Sequence, residues 1–204
     1  MTAPFPLSLV FEDELSELLA FKILATIPNK FIPHITYNRG GNGYISRTIN
    51  GFNVAARGIP FYVGTDLDTY TCPSALIDDW LENPKHANLL LRVAVREAEA
   101  WVLADRDNFA QFVGINSADM PANVEALPNP KETLIQLAKR SRNKQLRQDI
   151  CPSAKTTSKV GPNYNARLGS FVNTRWDPAA ARTNSRSLDR TINRLVAFQP
   201  QWTQ

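Results

Sequence analysis

Cysteine and histidine are scarce in this 204-residue sequence, which has two of each. Cys72 and Cys151 lie far apart and outside any CxxC or Cys/His spacing, which excludes a disulfide scaffold and a thiolate zinc site and predicts a reduced, cytoplasmic setting. His34 and His86 stand alone, so neither an imidazole metal site nor a Ser-His-Asp triad has support. No window approaches the roughly 18 apolar residues of a spanning helix. The opening stretch has no basic segment and is broken by Pro4 and Pro6, so neither membrane insertion nor export is expected. A GxxxxGK[ST] loop is missing as well, and any ATP hydrolysis would have to come from a partner. Internal repeats and low-complexity tracts are absent.

What is present is the composition of one globular domain, with 43% hydrophobic and 21% charged residues, enough to bury a core. A net charge of +4 conceals a strong asymmetry. Up to Pro130 there are nine basic against fifteen acidic residues; beyond it there are fourteen against four. Clustered carboxylates repel phosphate unless a divalent cation lies between them, whereas a basic surface attracts it. An acidic half joined to a basic half therefore suits metal-assisted phosphate chemistry, although the two halves could equally neutralise each other.

Apolar patterning predicts a strand at Leu7–Phe11 feeding a helix over Glu14–Ile27, an extended segment at Phe31–Tyr37, and a glycine-rich turn before a weaker helix at Tyr44–Ala56. Strands follow at Ile59–Thr65 and Asn88–Val95, with a helix from Ala75, capped by Ser74, between them. One helix is predicted over Arg96–Val113. The alternation argues for an α/β fold with a mainly parallel sheet flanked by helices, whose ligands collect at the carboxyl ends of the strands. Asn129-Pro130 and Asp177-Pro178 open further helices, Ser187–Phe198 forms the last, and Ser158–Arg167 reads as a loop. The predicted organisation is an α/β domain over 1–128 with a basic helical extension over 129–204 packed on it. Trp80, Trp101, Phe109 and Trp176 read as core or interface.

Three strands end in carboxylates: Glu12, Asp13 and Glu14 after the first, Asp66 and Asp68 after the third, Glu97 and Glu99 after the last. Asp66 and Asp68 would share a face if strand geometry persisted that far. Hard oxygen ligands suit Mg2+ or Mn2+, which take one or two protein carboxylates plus waters and phosphate oxygens. The plainer reading makes Asp13, Glu14 and Glu97 helix-dipole partners and the Asp pair a turn.

The order of a strand ending in Glu12 and a later strand ending in Asp66-Leu67-Asp68 resembles the Toprim fold of topoisomerases, primases and overcoming-lysogenization-defect nucleases. Phe11–Glu17, Gly40–Tyr44, Thr65–Asp68 and Glu97–Asp105 are similar to a bacterial Toprim-like branch, a domain family of unknown function often encoded beside ATPases of defence or mobile elements. The resemblance implies that Glu12 is a metal ligand or general acid/base and that Asp66 and Asp68 hold the cation. A Toprim strand usually ends Glu-Gly; here Asp13 follows, leaving Glu14 a rival to Glu12, and the further ligand would be Glu99 or Glu97.

For nucleic acid, the basic half offers Lys139, Arg140, Arg142, Lys144 and Arg147, then Lys155, Lys159 and Arg167, with Tyr164 for stacking. Lys159 and Arg167 are expected to lie on a loop that neutralises phosphate at the acidic site. The resulting expectation is an Mg2+-dependent nuclease acting on DNA or RNA, with an ATPase partner and homo-oligomerisation left open. The alternatives are a non-catalytic subunit binding nucleic acid or an ATPase, and, ranked lower, a phosphatase working through an aspartyl-phosphate or a nucleotide-sugar transferase.

Overall fold

A computed structural model describes residues 3–38, 43–154 and 157–202. Most of the predicted glycine-rich turn, residues 39–42, and Lys155 lie outside the described residues. In chain order the α/β elements are β1 (Phe5–Phe11), α1 (Glu14–Ala25), β2 (Phe31–Asn38), α2 (Tyr44–Ala55), β3 (Phe61–Asp66), α3 (Pro73–Trp80) and β4 (Leu89–Ala94). Helices α4 (Ala98–Ala104), α5 (Arg106–Val113), α6 (Pro130–Lys139), α7 (Lys144–Ile150), α8 (Tyr164–Thr174), α9 (Pro178–Ala181) and α10 (Arg186–Ala197) follow. No helix among the described residues is long and apolar enough to cross a membrane.

The four strands form a parallel sheet in the order β2-β1-β3-β4. The fold class is the α/β, Rossmann-like one that the alternation predicts, with helices on both faces. Alternate side chains divide the sheet cleanly. Leu7, Leu9, Phe11, Tyr62, Leu90 and Ala94 point to the α1 side, while Val10, Phe61, Val63, Leu89 and Leu91 pack with Ile45 and Ile49 of α2. Because β2 leaves β1 on one side and β3 lies on the other, the winding reverses between β1 and β3. In open α/β sheets that reversal opens a crevice at the carboxyl ends, where ligands bind.

Pro33 is accommodated in β2 because this strand is an edge and lacks a second partner for its backbone. Asp13 caps α1 by accepting a hydrogen bond from Ser16 N at 2.8 Å. The segment predicted as one helix over 96–113 breaks at Asp105 into α4 and α5. The cap before α3 is Cys72, with Pro73 in the first turn, rather than Ser74. The predicted loop over 158–167 is also corrected, since its last four residues, from Tyr164, are the start of α8.

The basic C-terminal elements do not make a separate core. Tyr164, Leu168, Phe171 and Val172 of α8 join the same buried cluster as Leu15, Leu19 and Ile23 of α1, and Leu188, Ile192 and Leu195 of α10 join it as well. Trp101, Phe109 and Trp176 are buried there, while Trp80 packs at the edge of the opposite cluster.

Candidate functional site

Glu12 leaves the end of β1 and Asp66 ends β3, so the two carboxylates flank the switch-point crevice. Their placement follows from the apolar runs before them: five consecutive buried residues in each strand fix the strands in the sheet, and the acids are the first side chains beyond the core. Thr65 Oγ1 ties the two strand ends together by donating to Glu12 Oε1 at 2.5 Å. Asp66 Oδ1 accepts from Ala98 N, at the start of α4, at 2.9 Å.

Asp68 departs from the predicted alternation. Strand β3 stops at Asp66, and Asp68 sits in a left-handed turn with φ of 49°. The backbone N–H groups of Leu67 and Asp68 both donate to Arg96 O, and Arg96 in turn donates a side-chain hydrogen bond to Asp68 O. Asp68 is therefore exposed rather than stacked beside Asp66, yet its charge still reaches both Asp66 and Glu12.

Burial, and then the negative fields of Glu99, Asp13, Glu12 and Asp68, push the Asp66 carboxyl well above the usual carboxylate range. Burial raises Glu12 too, opposed by the Thr65 hydrogen bond and reinforced by Asp68 and Asp13. Repulsive carboxylate clusters of this kind are common at functional sites, because folding alone gains nothing from them.

Glu97 and Glu99 have distinct occupations. Glu97 accepts from Lys131 N, in the first turn of α6, at 2.8 Å. Glu99 is buried; it pairs with Lys131 Nζ at 3.2 Å and accepts from the Tyr164 hydroxyl at 2.9 Å. Burial works against the Lys131 charge, but Glu99, Glu97 and Asp13 more than offset it, and its pKa ends above the ordinary lysine value.

Lys131, the cation paired with Glu99, is a residue that sequence reasoning missed. A lysine in the first turn of a helix opposes the positive end of the dipole, and that local mismatch was a readable signal of a tertiary partner. Lys159 is exposed and lines a cavity of about 350 Å3 together with Lys131 and Lys139. Arg167 lies on α8 and is tied up by Asp149, with Nη2 to Oδ2 at 2.6 Å. Arg142 and Lys144 are exposed, beyond the end of α6 and at the start of α7. Tyr164, expected to stack on a base, is buried with its hydroxyl on Glu99.

Lys131→Met should lower stability by about 2 kcal/mol at neutral pH. That lies below the roughly 3–5 kcal/mol for breaking a fully buried pair, because part of the lysine remains in solvent. The loss should vanish at acid pH, where Glu99 protonates and needs no partner. Melting curves of the variant at neutral and acid pH check this; a deficit independent of pH would exclude the charge pair as its cause.

Oxygen donors of this hardness fit magnesium or manganese in chemistry. Among the described residues, however, no three His, Cys, Asp or Glu side chains converge to hold a metal unaided. Comparison of the chain with family models, curated proteins and solved structures finds no match in any of the three.

Proposed function

We propose that this chain is a divalent-metal-dependent phosphodiesterase acting on nucleic acid, built on a Toprim-like domain. The observation that carries the reading is the collection of Glu12, Asp66 and Asp68 at one switch-point crevice, within electrostatic reach of one another, with Asp66 also within reach of Glu99. Asp66, with Glu12 or Asp68, would hold Mg2+ or Mn2+. The bound ion would supply a Lewis acid and an acidified water. Glu12, held by Thr65 and raised by burial, suits proton transfer with the attacking water. Lys131, kept charged by its acidic neighbours, would offset charge on the phosphate, and Lys159 would extend that field. Arg142 and Lys144 remain proposed contacts to the nucleic-acid backbone. An ATPase partner and a role in defence or mobile elements belong to the same proposal.

The lack of a three-ligand cluster among the described residues favours a second reading, a non-catalytic subunit that binds nucleic acid. Labelled single- and double-stranded DNA and RNA, incubated with the chain in Mg2+ or Mn2+, separate the two. The first reading expects cleavage that chelation and Asp66→Asn both abolish. Undiminished cleavage by Asp66→Asn would overturn the site, and tight binding without turnover in either metal would select the second reading.

A further inference from the structure

At the outer edge of β4, on the side of the strand away from β3, α3 and α10 enclose a cavity of about 330 Å3. Arg92, Arg186 and Arg190 line it, and Ile77 and Val93 add apolar lining. Arg92 is half-buried, and its Nε donates to Thr191 Oγ1 at 3.3 Å. Among the described residues none of these three guanidiniums has an ion pair; Arg186 and Arg190 are exposed at the cavity mouth, and Arg92 lies half-buried behind them. The one carboxylate in the wall, Glu125, accepts at Oε1 from both the Ser185 hydroxyl at 2.7 Å and Ser187 N at 2.6 Å, which hold it against the start of α10.

Uncompensated positive charge at a half-enclosed position is costly, and the charges of Arg190 and Arg194 reach Arg92. A phosphate would relieve that cost, since guanidinium groups match its oxygens in planar, bidentate pairs. The apolar lining suits a base or sugar, and the volume falls at the lower end of the range for small-ligand pockets, about 300–1,000 Å3. Val95, also in the wall, follows Ala94, which pairs with Asp66 across the sheet. The cavity therefore opens one strand away from the acidic crevice, at the same end of the sheet.

We propose that this cavity binds a nucleotide unit, its phosphate on Arg186 and Arg190 with Arg92 behind them and its base or sugar against the aliphatic lining. Resting on the phosphodiesterase reading, it is the subsite that holds the polynucleotide next to the residue being cut. Neither the Arg186 nor the Arg190 side chain makes an ion pair or hydrogen bond within the described protein, so their replacement leaves the fold intact.

The test is fluorescence anisotropy of a labelled single-stranded oligonucleotide, in chelator, across a salt series, with wild type and Arg186→Gln/Arg190→Gln. The double variant should bind at least tenfold more weakly, and its log–log salt slope should shrink by about 0.7 for each phosphate no longer neutralised. Should the double variant melt below wild type, Arg190→Gln alone is expected to lose severalfold affinity with an unchanged melting midpoint. A free mononucleotide that displaces the oligonucleotide from wild type places the recognition in one nucleotide. Displacement only by another oligonucleotide places it in the polymer, and both outcomes support the pocket. Unchanged affinity and slope in the folded variants overturn it, as does equal displacement by polyglutamate, which would mean that charge alone is read. Arginine-dependent binding without cleavage in either metal sinks the phosphodiesterase reading and leaves the pocket; cleavage with arginine-independent binding does the reverse.

Discussion

Asp66→Asn should abolish divalent-cation binding and at the same time raise the melting temperature. The substitution keeps the acceptor that Asp66 Oδ1 presents to Ala98 N and removes the charge that Glu99, Asp13, Glu12 and Asp68 oppose. Because the folded-state pKa lies above the unfolded one, Asp66 contributes relative stability that is fully present below the ordinary carboxylate pKa of about 3.9 and is lost as pH rises through the raised folded value. The gain on removing the charge should therefore be greatest at neutral pH and disappear in acid. For a chain of this length each kcal/mol relieved lifts the midpoint by about 2–4 °C. Magnesium or manganese should stabilise wild type, since a ligand that binds only the native state raises its midpoint, and should leave the variant unmoved. Calorimetric titration and melting curves with and without metal read both effects. A variant that melts lower than wild type at every pH would make Asp66 a structural residue and remove the basis for the site.

Gly161→Ala is expected to destabilise the molecule by about 3 kcal/mol, the upper part of the usual range for overpacking, and to drop the midpoint by roughly 6–12 °C. A Cβ there would lie 2.4 Å from Asp149 O and 2.7 Å from the Ile150 carbonyl carbon, both backbone atoms that cannot rotate aside. The close approach is fixed by Gly161 N donating to Ile150 O at 2.9 Å and Asn163 N donating to Asp149 O at 3.0 Å. These bonds hold the segment carrying Lys159 against the end of α7, so the substitution should also weaken any phosphate contact made by that lysine. Gly51→Ala, in the exposed face of α2 with nothing within 4 Å, is the matched control and should gain about 0.5–1 kcal/mol. Equal midpoints for Gly161→Ala and wild type would mean that the segment is not docked in solution as it is here.

The parallel sheet was legible because β1, β3 and β4 are short apolar runs, and in β1 and β3 an acid follows or ends the run, a pattern carried by adjacent residues. The helix starts at Asn129-Pro130 and Asp177-Pro178 were legible for the same local reason. Helix α8 was not: Gly161-Pro162 and two asparagines read as loop, while its stability comes from Leu168, Phe171 and Val172 packing into the core shared with α1, far away in sequence. Likewise, Glu12, Asp66 and Asp68 could be singled out as strand-end carboxylates, but the left-handed turn at Asp68 could not be foreseen from the alternation. The Lys131–Glu99–Tyr164 group joins residues 32 and 65 positions apart, and only the folded topology brings such partners together.

The shared core also sets the order in which the chain can assemble. Phe5 packs on Phe198 with ring centroids 5.7 Å apart, Lys22 donates to Asn173 O at 2.9 Å, and α1 lies against α8. The part of α1 that packs on α8 rather than on the sheet consequently stays uncovered on the ribosome until α8 has been synthesised, long after the four strands have emerged. Contacts of such sequence separation slow folding, and the waiting surface makes the nascent chain a substrate for chaperones.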